Sequence, residues 1–233
     1  MASFPYRTAL IVGAGVGISA SVARGLAQAG VSLGLAARNT AKLAPLAAET
    51  GATTFAVDAA DPASVARLFE AMDATLGAPD VVIYNASLRA QGPIAELDPE
   101  AVLKAVTITG FGGFLVVQQA ARRMIPQGRG AILLTGATAS VKGFAMSSAF
   151  AMGKFALRGL AQSAARELGP KGIHVAHFVI DGGVRSKVRP EAADRPDSML
   201  SPDGIAQTYL SVLQQPRDAW SMEVEMRPWV EKF

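Results

Sequence analysis

Residues 8–19, TALIVGAGVGIS, decide the fold of this chain. The apolar, β-branched run at 9–12 predicts a short buried strand. The apolar spacing that begins at Ile18 predicts a helix directly after it. Three glycines separate the two elements, and they are Gly13, Gly15 and Gly17. We therefore predict a strand, a glycine turn and a helix in immediate succession.

This glycine turn has the features of an anion-binding site. Glycine allows the backbone to approach a pyrophosphate closely, and the N–H groups and dipole at the helix start favour negative charge. A dinucleotide is the usual ligand of such a turn. The alternative is a tight turn without a ligand, because glycine-rich turns at strand ends are common.

The composition indicates one α/β domain that extends over residues 1–233. Half of the residues are hydrophobic and only 18% are charged, which suits a single domain with a large core. Cysteine is absent, which excludes disulfides and thiolate metal sites and is compatible with the cytoplasmic location that we predict. The net charge of +3 is small and the basic residues are scattered, so we predict no nucleic-acid partner.

Two apolar stretches bear on membrane targeting. Residues 8–23 follow Arg7 and superficially resemble a signal peptide, but three glycines within five residues would disrupt its helix. Residues 105–121 contain glycine, and this stretch is shorter than a membrane span, which needs about 20 residues. We therefore predict no membrane association.

Strand and helix patterns alternate along the whole chain. Apolar runs predict further strands at 31–37, 53–57, 80–84, 131–135, 173–180 and 222–226. Helical patterns are found at 61–75, 100–124, 147–168 and 202–213. This alternation predicts an α/β fold, namely a single-domain, Rossmann-type, doubly wound parallel sheet of about seven strands with helices on both faces.

Arg38 follows the second predicted strand, where a dinucleotide fold meets the adenosine ribose. An acidic residue at this place prefers the 2′-hydroxyl of NAD, whereas an arginine accommodates the 2′-phosphate of NADP. NADP(H) is therefore favoured and NAD(H) stays possible. The alternative is a solvated arginine at a helix start, because the glycine turn holds no second basic residue.

Small residues follow the fourth predicted strand, and they are Asn85, Ala86 and Ser87. We expect the cofactor to pass over them at the strand ends. Lys154 interrupts an apolar, small-residue part of the helix at 147–168. Such a lysine either extends its amine to solvent or has a specific partner.

Two later features concern the substrate and metals. Residues 184–200 are charged and contain proline, which is typical of a mobile lid and here predicts a substrate lid. His174 and His177 are three residues apart on a predicted strand, so they point to opposite faces and cannot form a metal pair. We predict no metal site.

The order GAGVGIS, Asp58, YNAS, TGATAS, FAMGK and DGG resembles the short-chain dehydrogenase/reductase family over almost the whole chain. Val12 and Ser19 replace the Thr and the last Gly of the family pattern T-G-x-x-x-G-x-G. The resemblance implies that Asp58 contacts the adenine and that Lys154 holds the nicotinamide ribose. We also expect cofactor contacts from Ile18 in the turn, and from Gly182 and Val184 after the sixth strand.

The catalytic set implied by the resemblance is an Asn, Ser, Tyr and Lys, and only Lys154 is unchanged here. Phe150 occupies the Tyr position, because the family spacing is Y-x-x-x-K. Ala137 occupies the Ser position, with Thr138 adjacent, and Thr107 occupies the Asn position. In the family the Tyr transfers a proton and the lysine lowers its pKa. Loss of a positioned acid typically costs about 10² to 10⁴ in rate.

Other donors are conceivable, namely Thr138, Ser147, Ser148, Tyr84, a water held by Lys154, or Lys154 itself. Our first hypothesis is an atypical NADP(H)-dependent oxidoreductase that transfers a hydride to or from a small organic substrate. An iminium or a conjugated alkene would suit hydride delivery without the Tyr. The alternatives are a catalytically silent NADP(H)-binding sensor or assembly protein and, more remotely, a purely structural oligomer.

The helices at 100–124 and 147–168 carry small and apolar residues on more than one face. Burial against a second subunit would explain this pattern. The family resemblance implies the same, since its members commonly pair these two helices in a four-helix interface. We therefore expect a homodimer or a homotetramer.

Overall fold

The central strand β1 (Thr8–Val12) is the point at which the order of strands reverses. It pairs in parallel with β2 (Ser32–Ala37) on one side and with β4 (Val81–Tyr84) on the other. The computed structural model describes residues 4–232. A reversal of strand order opens a crevice at the carboxyl ends of β1 and β4, where α/β proteins bind their ligands.

The sheet has seven strands, all parallel, in the order β3-β2-β1-β4-β5-β6-β7. The remaining strands are β3 (Thr53–Ala56), β5 (Gly130–Thr135), β6 (Ile173–Ile180) and β7 (Glu223–Met226). Every predicted strand is present, and no predicted end is more than one residue from the observed one. The predicted doubly wound parallel sheet is confirmed.

Helices cover both faces of this sheet. One face carries α1 (Ile18–Gln28), α2 (Ala44–Thr50) and α7 (Pro202–Leu213). The other carries α3 (Pro62–Thr75), α5 (Gly112–Gln127) and α6 (Ser148–Leu168), and α4 (Pro99–Val106) packs beside α6. Alternate residues of β1 enter separate cores, because successive strand side chains point to opposite faces. Leu10 therefore packs under α3, α5 and α6, whereas Ile11 packs under α1 and α7.

The helix predicted at 100–124 is not regular, because a π-helical turn, Thr107–Phe111, separates α4 from α5. The glycines around this turn allow close contact with α6. A Cβ added to Gly110 would lie 3.0 Å from the Cβ of Ala156, and one added to Gly113 would lie 2.5 Å from Leu157 Cδ1. These glycines therefore let the helical stretch pack closely against α6.

The helical stretch Pro99–Gln127 is long and apolar enough, by composition, to cross a membrane, with a mean hydropathy of 1.6. Half of its most apolar window is buried inside the domain. A core helix of an α/β domain has the same properties, so this stretch is explained by its packing on the sheet. The cytoplasmic location stays a prediction.

Gly13 tests how closely the glycine turn must approach β4. Gly77 is the control, because its φ of +86° is nearly equal to the φ of +82° at Gly13. A Cβ added to Gly13 would collide with the backbone of Ala86. A Cβ added to Gly77 would meet no atom within 4 Å. Gly77→Ala should therefore cost about 1 kcal/mol of unfolding free energy from the left-handed backbone. Gly13→Ala should cost about 2 kcal/mol more from overpacking. Urea unfolding at one fixed protein concentration measures both, and equal losses would contradict the contact.

Candidate active site

A cavity of about 230 Å³ lies at the carboxyl ends of β1, β2, β3 and β4. The structure brings together in its lining six of the residues that the sequence assigned to cofactor binding: Gly13, Arg38, Asp58, Asn85, Ala86 and Ser87. Arg38 and Asp58 also line a shallower depression beside α3. These residues come from four separate strand ends, so the sheet topology is what assembles them.

The start of α1 is open to a ligand. Gly17 is the N-cap residue with a φ of 84°, and no side chain caps the first backbone N–H groups. Space is empty within 4 Å of where a Cβ would stand on Gly15 or Gly17. Uncapped N–H groups and the helix dipole favour an anion at this place. The turn therefore has both the room and the donors that a pyrophosphate requires.

Ser19 connects the glycine turn to β4, a role that sequence reasoning missed. The Asn85 side-chain amide donates to the Ser19 hydroxyl at 2.7 Å, and that hydroxyl donates to the Gly13 carbonyl at 3.3 Å. Ser19 is buried, so these bonds satisfy a polar group that would otherwise be costly. Its only signal in the sequence was the departure from glycine at the last position of the turn pattern.

A second cavity of about 400 Å³ continues along the ends of β4, β5 and β6. Its lining includes most of the residues that the sequence predicted for catalysis and for the nicotinamide end of the cofactor. They are Ile18, Ala137, Thr138, Phe150, Lys154 and, after β6, Gly182 and Val184. The two cavities share Asn85 and Ser87, so they form one continuous crevice.

Lys154 is buried in the wall of the second cavity, with 3% of its surface exposed. Its Nζ donates to the Thr135 carbonyl at 2.6 Å. Of the two alternatives for this lysine, a specific partner is therefore correct. Burial, followed by repulsion from Arg89, lowers the pKa of the amine to about 7. At neutral pH this amine can hold or release a proton.

Phe150 lies one helical turn before Lys154 on α6 and is buried. Its ring centre is 5.7 Å from Lys154 Nζ and 4.3 Å from Arg89 Cζ. Cations at these distances are attracted to the aromatic face. Two cations thus lie beside a ring that has no hydroxyl and no ionisable proton.

Three predicted candidates do not line the second cavity, namely Tyr84, Thr107 and Ser148. The Tyr84 side chain is fully buried in the core beneath α5, and its hydroxyl donates to the Ile108 carbonyl. Burial, with a further effect of Asp58, raises the pKa of this phenol, so Tyr84 is unsuited as a proton donor. Thr107 opens the π-helical turn and lines neither cavity of the crevice.

Thr138 and Ser147 do line the second cavity. The Thr138 hydroxyl makes only a long contact, 3.5 Å, with the Ile180 carbonyl. The neighbouring Ser140 is committed elsewhere, because its hydroxyl accepts from the Ala137 N–H at 3.1 Å. Near the Ser position, the Thr138 hydroxyl is therefore hydrogen-bonded to the protein more weakly than that of Ser140.

Two arginines of the second cavity were missed by sequence reasoning. Arg89 comes from the loop after β4, and Arg189 comes from the segment 184–200. That segment has no helix or regular strand, and its ends are held by an isolated bridge between Val184 and Leu200. Neither arginine belongs to a sequence pattern, so no signal in the chain could have placed them at one cavity.

The two histidines of β6 point to opposite faces and have different partners. His174 Nε2 contacts the Ser221 carbonyl at 2.9 Å, and His177 Nδ1 contacts Glu223 at 3.0 Å. Within residues 4–232, no three His, Cys, Asp or Glu side chains are grouped so that they could hold a metal ion.

Several known proteins are similar to this chain. L-rhamnose 1-dehydrogenase (NAD(P)(+)) of Azotobacter vinelandii is 33% identical over 195 residues, which are 79% of this chain and 76% of that protein. A short-chain dehydrogenase of known structure from Rhodopseudomonas palustris is 36% identical, with a TM-score of 0.83 over 96% of this chain and 99% of that one. A metagenomic short-chain oxidoreductase solved with NADP is 25% identical, with a TM-score of 0.85 over 99% of this chain and 100% of that one.

The family model for short chain dehydrogenase matches residues 7–196. This range runs from β1, through the glycine turn and Lys154, into the segment after β6. It therefore includes almost all of the crevice described above. The chain belongs to the short-chain dehydrogenase family, a family of oxidoreductases.

Proposed function

We propose that this protein is an atypical NADP(H)-dependent oxidoreductase that transfers a hydride to or from a small organic substrate without the usual tyrosine. The observation that carries the proposal is the buried amine of Lys154 in a cavity continuous with the open glycine turn. Burying an amine is costly, and a bound nucleotide would give it further hydrogen-bond partners.

The residues of the crevice fit a nicotinamide dinucleotide along its whole length. We assign the adenosine and its 2′-phosphate to Asp58 and Arg38, the pyrophosphate to the turn around Gly15 and Gly17, and the nicotinamide ribose to Lys154. Asn85, Ala86 and Ser87 would lie beneath the cofactor, and Gly182 and Val184 beside the nicotinamide. When bound, the nicotinamide supplies or accepts the hydride.

The Arg38 assignment is tested by nucleotide affinity. Removing a guanidinium that contacts a 2′-phosphate removes charge-assisted hydrogen bonds, while NADH has no phosphate at that position. Arg38→Gln should therefore weaken NADPH binding about tenfold and leave NADH binding within about twofold. Calorimetric titration of both nucleotides measures this, and NADH is the internal control. Failure of the wild-type protein to bind either nucleotide would overturn the proposed function.

The protein's own groups limit the proton chemistry. Phe150 has no proton to transfer, so a proton must come from Lys154, from the hydroxyl of Thr138 or Ser147, or from water in the cavity. Ala137 and Thr107, which we propose stand at the family's Ser and Asn positions, supply no cavity hydroxyl in compensation. Substrates whose reduction needs no positioned acid at oxygen, such as a conjugated alkene, fit these groups best.

The second candidate function is a catalytically silent NADP(H)-binding sensor or assembly protein. It is favoured because Phe150, at the position of the family's Tyr, has no hydroxyl. Phe150→Tyr separates the two functions. A phenol there would have its pKa lowered by Lys154 and Arg89. In the oxidoreductase, we expect this change to raise NADPH-dependent reduction of small aldehydes and ketones by at least about 10²-fold. Oxidation of NADPH at 340 nm measures the rate.

The matched control is Phe144→Tyr. Phe144 lines the same cavity, but it is half exposed and its neighbouring cation is Lys142, at 6.0 Å. No gain in rate is expected from it. If Phe150→Tyr binds NADPH normally but reduces no carbonyl compound, this result favours the catalytically silent protein and contradicts the oxidoreductase.

We also propose that the protein forms a homodimer, or a homotetramer that contains it, through α5 and α6. The large apolar side chains exposed on the π-helical turn and these two adjacent helices include Phe111, Phe114, Met152 and Phe155, each with at least 43% of its surface accessible. Apolar patches on a helix pair are typical of subunit interfaces. The predicted lid at 184–200 lies outside this patch.

Phe155→Glu would place a charge in this interface and should shift the protein to a monomer. Size-exclusion chromatography with light scattering at micromolar concentration measures the mass. Val188→Glu, at a side chain that is 96% exposed on the segment 184–200, is the control and should leave the mass unchanged. A wild-type monomer under these conditions would contradict the proposed assembly.

A further inference from the structure

We infer that the second cavity selects substrates that carry a carboxylate, and that Arg89 and Arg189 bind it. This inference rests on the proposed function, because it names the substrate class of the same site. The first observation is the charge of the lining. Arg89, Lys154 and Arg189 contribute cations, and the lining contains neither aspartate nor glutamate. A small cavity lined by one sign of charge attracts ligands of the opposite sign.

The second observation is that neither guanidinium is paired. In the described part of the chain, no carboxylate oxygen lies within 4.0 Å of Arg89 or Arg189. By contrast, Arg185 on the same segment contacts Glu191 at 3.5 Å. The protein thus pairs an arginine next to the cavity and leaves the two inside it without an acidic partner.

Both guanidiniums are also held at the cavity by contacts with the protein. Arg89 lies over the ring of Phe150, 4.3 Å from its centre. Arg189 folds back over Gly183, where an added Cβ would lie 3.0 Å from its Nη2. Its backbone is fixed as well, because Ser186 and Arg189 form an isolated antiparallel bridge. An arginine that is already positioned loses less side-chain entropy when it binds an anion.

The chemistry of these groups points to a carboxylate on an organic molecule. Guanidinium presents a planar fork of donors that matches the two oxygens of a carboxylate. The same cavity offers apolar contacts from Phe144, Phe150 and Ile180, which suit the remainder of an organic acid. Of the two substrate types that the sequence suggested, an iminium has the wrong charge for this lining. A conjugated alkene that bears a carboxylate has the right one.

The test compares benzoate with acetophenone, its neutral isostere, by calorimetric titration of the protein saturated with NADP⁺. Acetophenone cannot be oxidised under these conditions, so only binding is measured. We expect benzoate to bind at least about tenfold more tightly, and the preference to fall as ionic strength rises. The same titrations on the nucleotide-free protein should give the same order of affinities.

Arg89→Gln and Arg189→Gln should each weaken benzoate binding about tenfold and leave acetophenone binding unchanged. Arg195→Gln is the matched control, because Arg195 is exposed on the same segment but does not line the cavity. It changes the net charge equally and should leave benzoate binding unchanged. All three positions are exposed, so the variants should fold normally.

The outcomes separate the two proposals. If NADP⁺ binds but benzoate shows no advantage over acetophenone, or if Arg195→Gln weakens benzoate as much as the cavity variants, the carboxylate inference is overturned and the proposed function stands. If no nucleotide binds but benzoate binding to the free protein depends on Arg89 and Arg189, the proposed function is overturned and the anion site stands.

Discussion

The close approach of the glycine turn to β4 is the constraint on which the crevice depends. At Gly13 the backbone passes so near Ala86 that no side chain fits between them, and the Asn85–Ser19–Gly13 hydrogen bonds join the same two segments. This contact fixes the start of α1 beside the end of β4, where the strand order reverses. The open helix terminus and the two cavities therefore share one continuous edge of the sheet.

The seven strands and their approximate ends could be predicted from the sequence, because buried apolar runs bounded by glycine and Asp-Pro pairs are local signals. The π-helical turn at Thr107–Phe111 could not, since it depends on how α5 meets α6. Whether the candidate donor Tyr84 meets the core or the crevice could not be predicted for a related reason, because the face on which a strand residue lies decides this. The meeting of Arg89 with Arg189, 100 positions apart in the chain, is likewise a tertiary property without local signal.

The electrostatics of the second cavity follow from the burial of Lys154. Its amine has lost most of its hydration, and its hydrogen-bond partner is the Thr135 carbonyl. The positive charge of Arg89 lowers the pKa of this amine further. A tyrosine at position 150 would place an ionisable phenol beside both cations. With Phe150 there is only an aromatic face, which attracts cations but carries no net charge. On the functions proposed above, Phe150 removes the proton donor, and it also leaves the cations of the cavity without an ionisable phenol beside them.

The charges behind the cavity wall strengthen this argument. Arg158 contacts Glu223 at 2.7 Å, and that carboxylate also meets His177, whose pKa burial lowers to about 4 despite the opposing effect of Glu223. The imidazole is therefore neutral at physiological pH. The bond from Arg158 holds the pKa of Glu223 below its usual range, so the ion pair is complete in itself. Glu223 therefore has its own cationic partner in Arg158, and it does not offset the positive charge of the cavity lining.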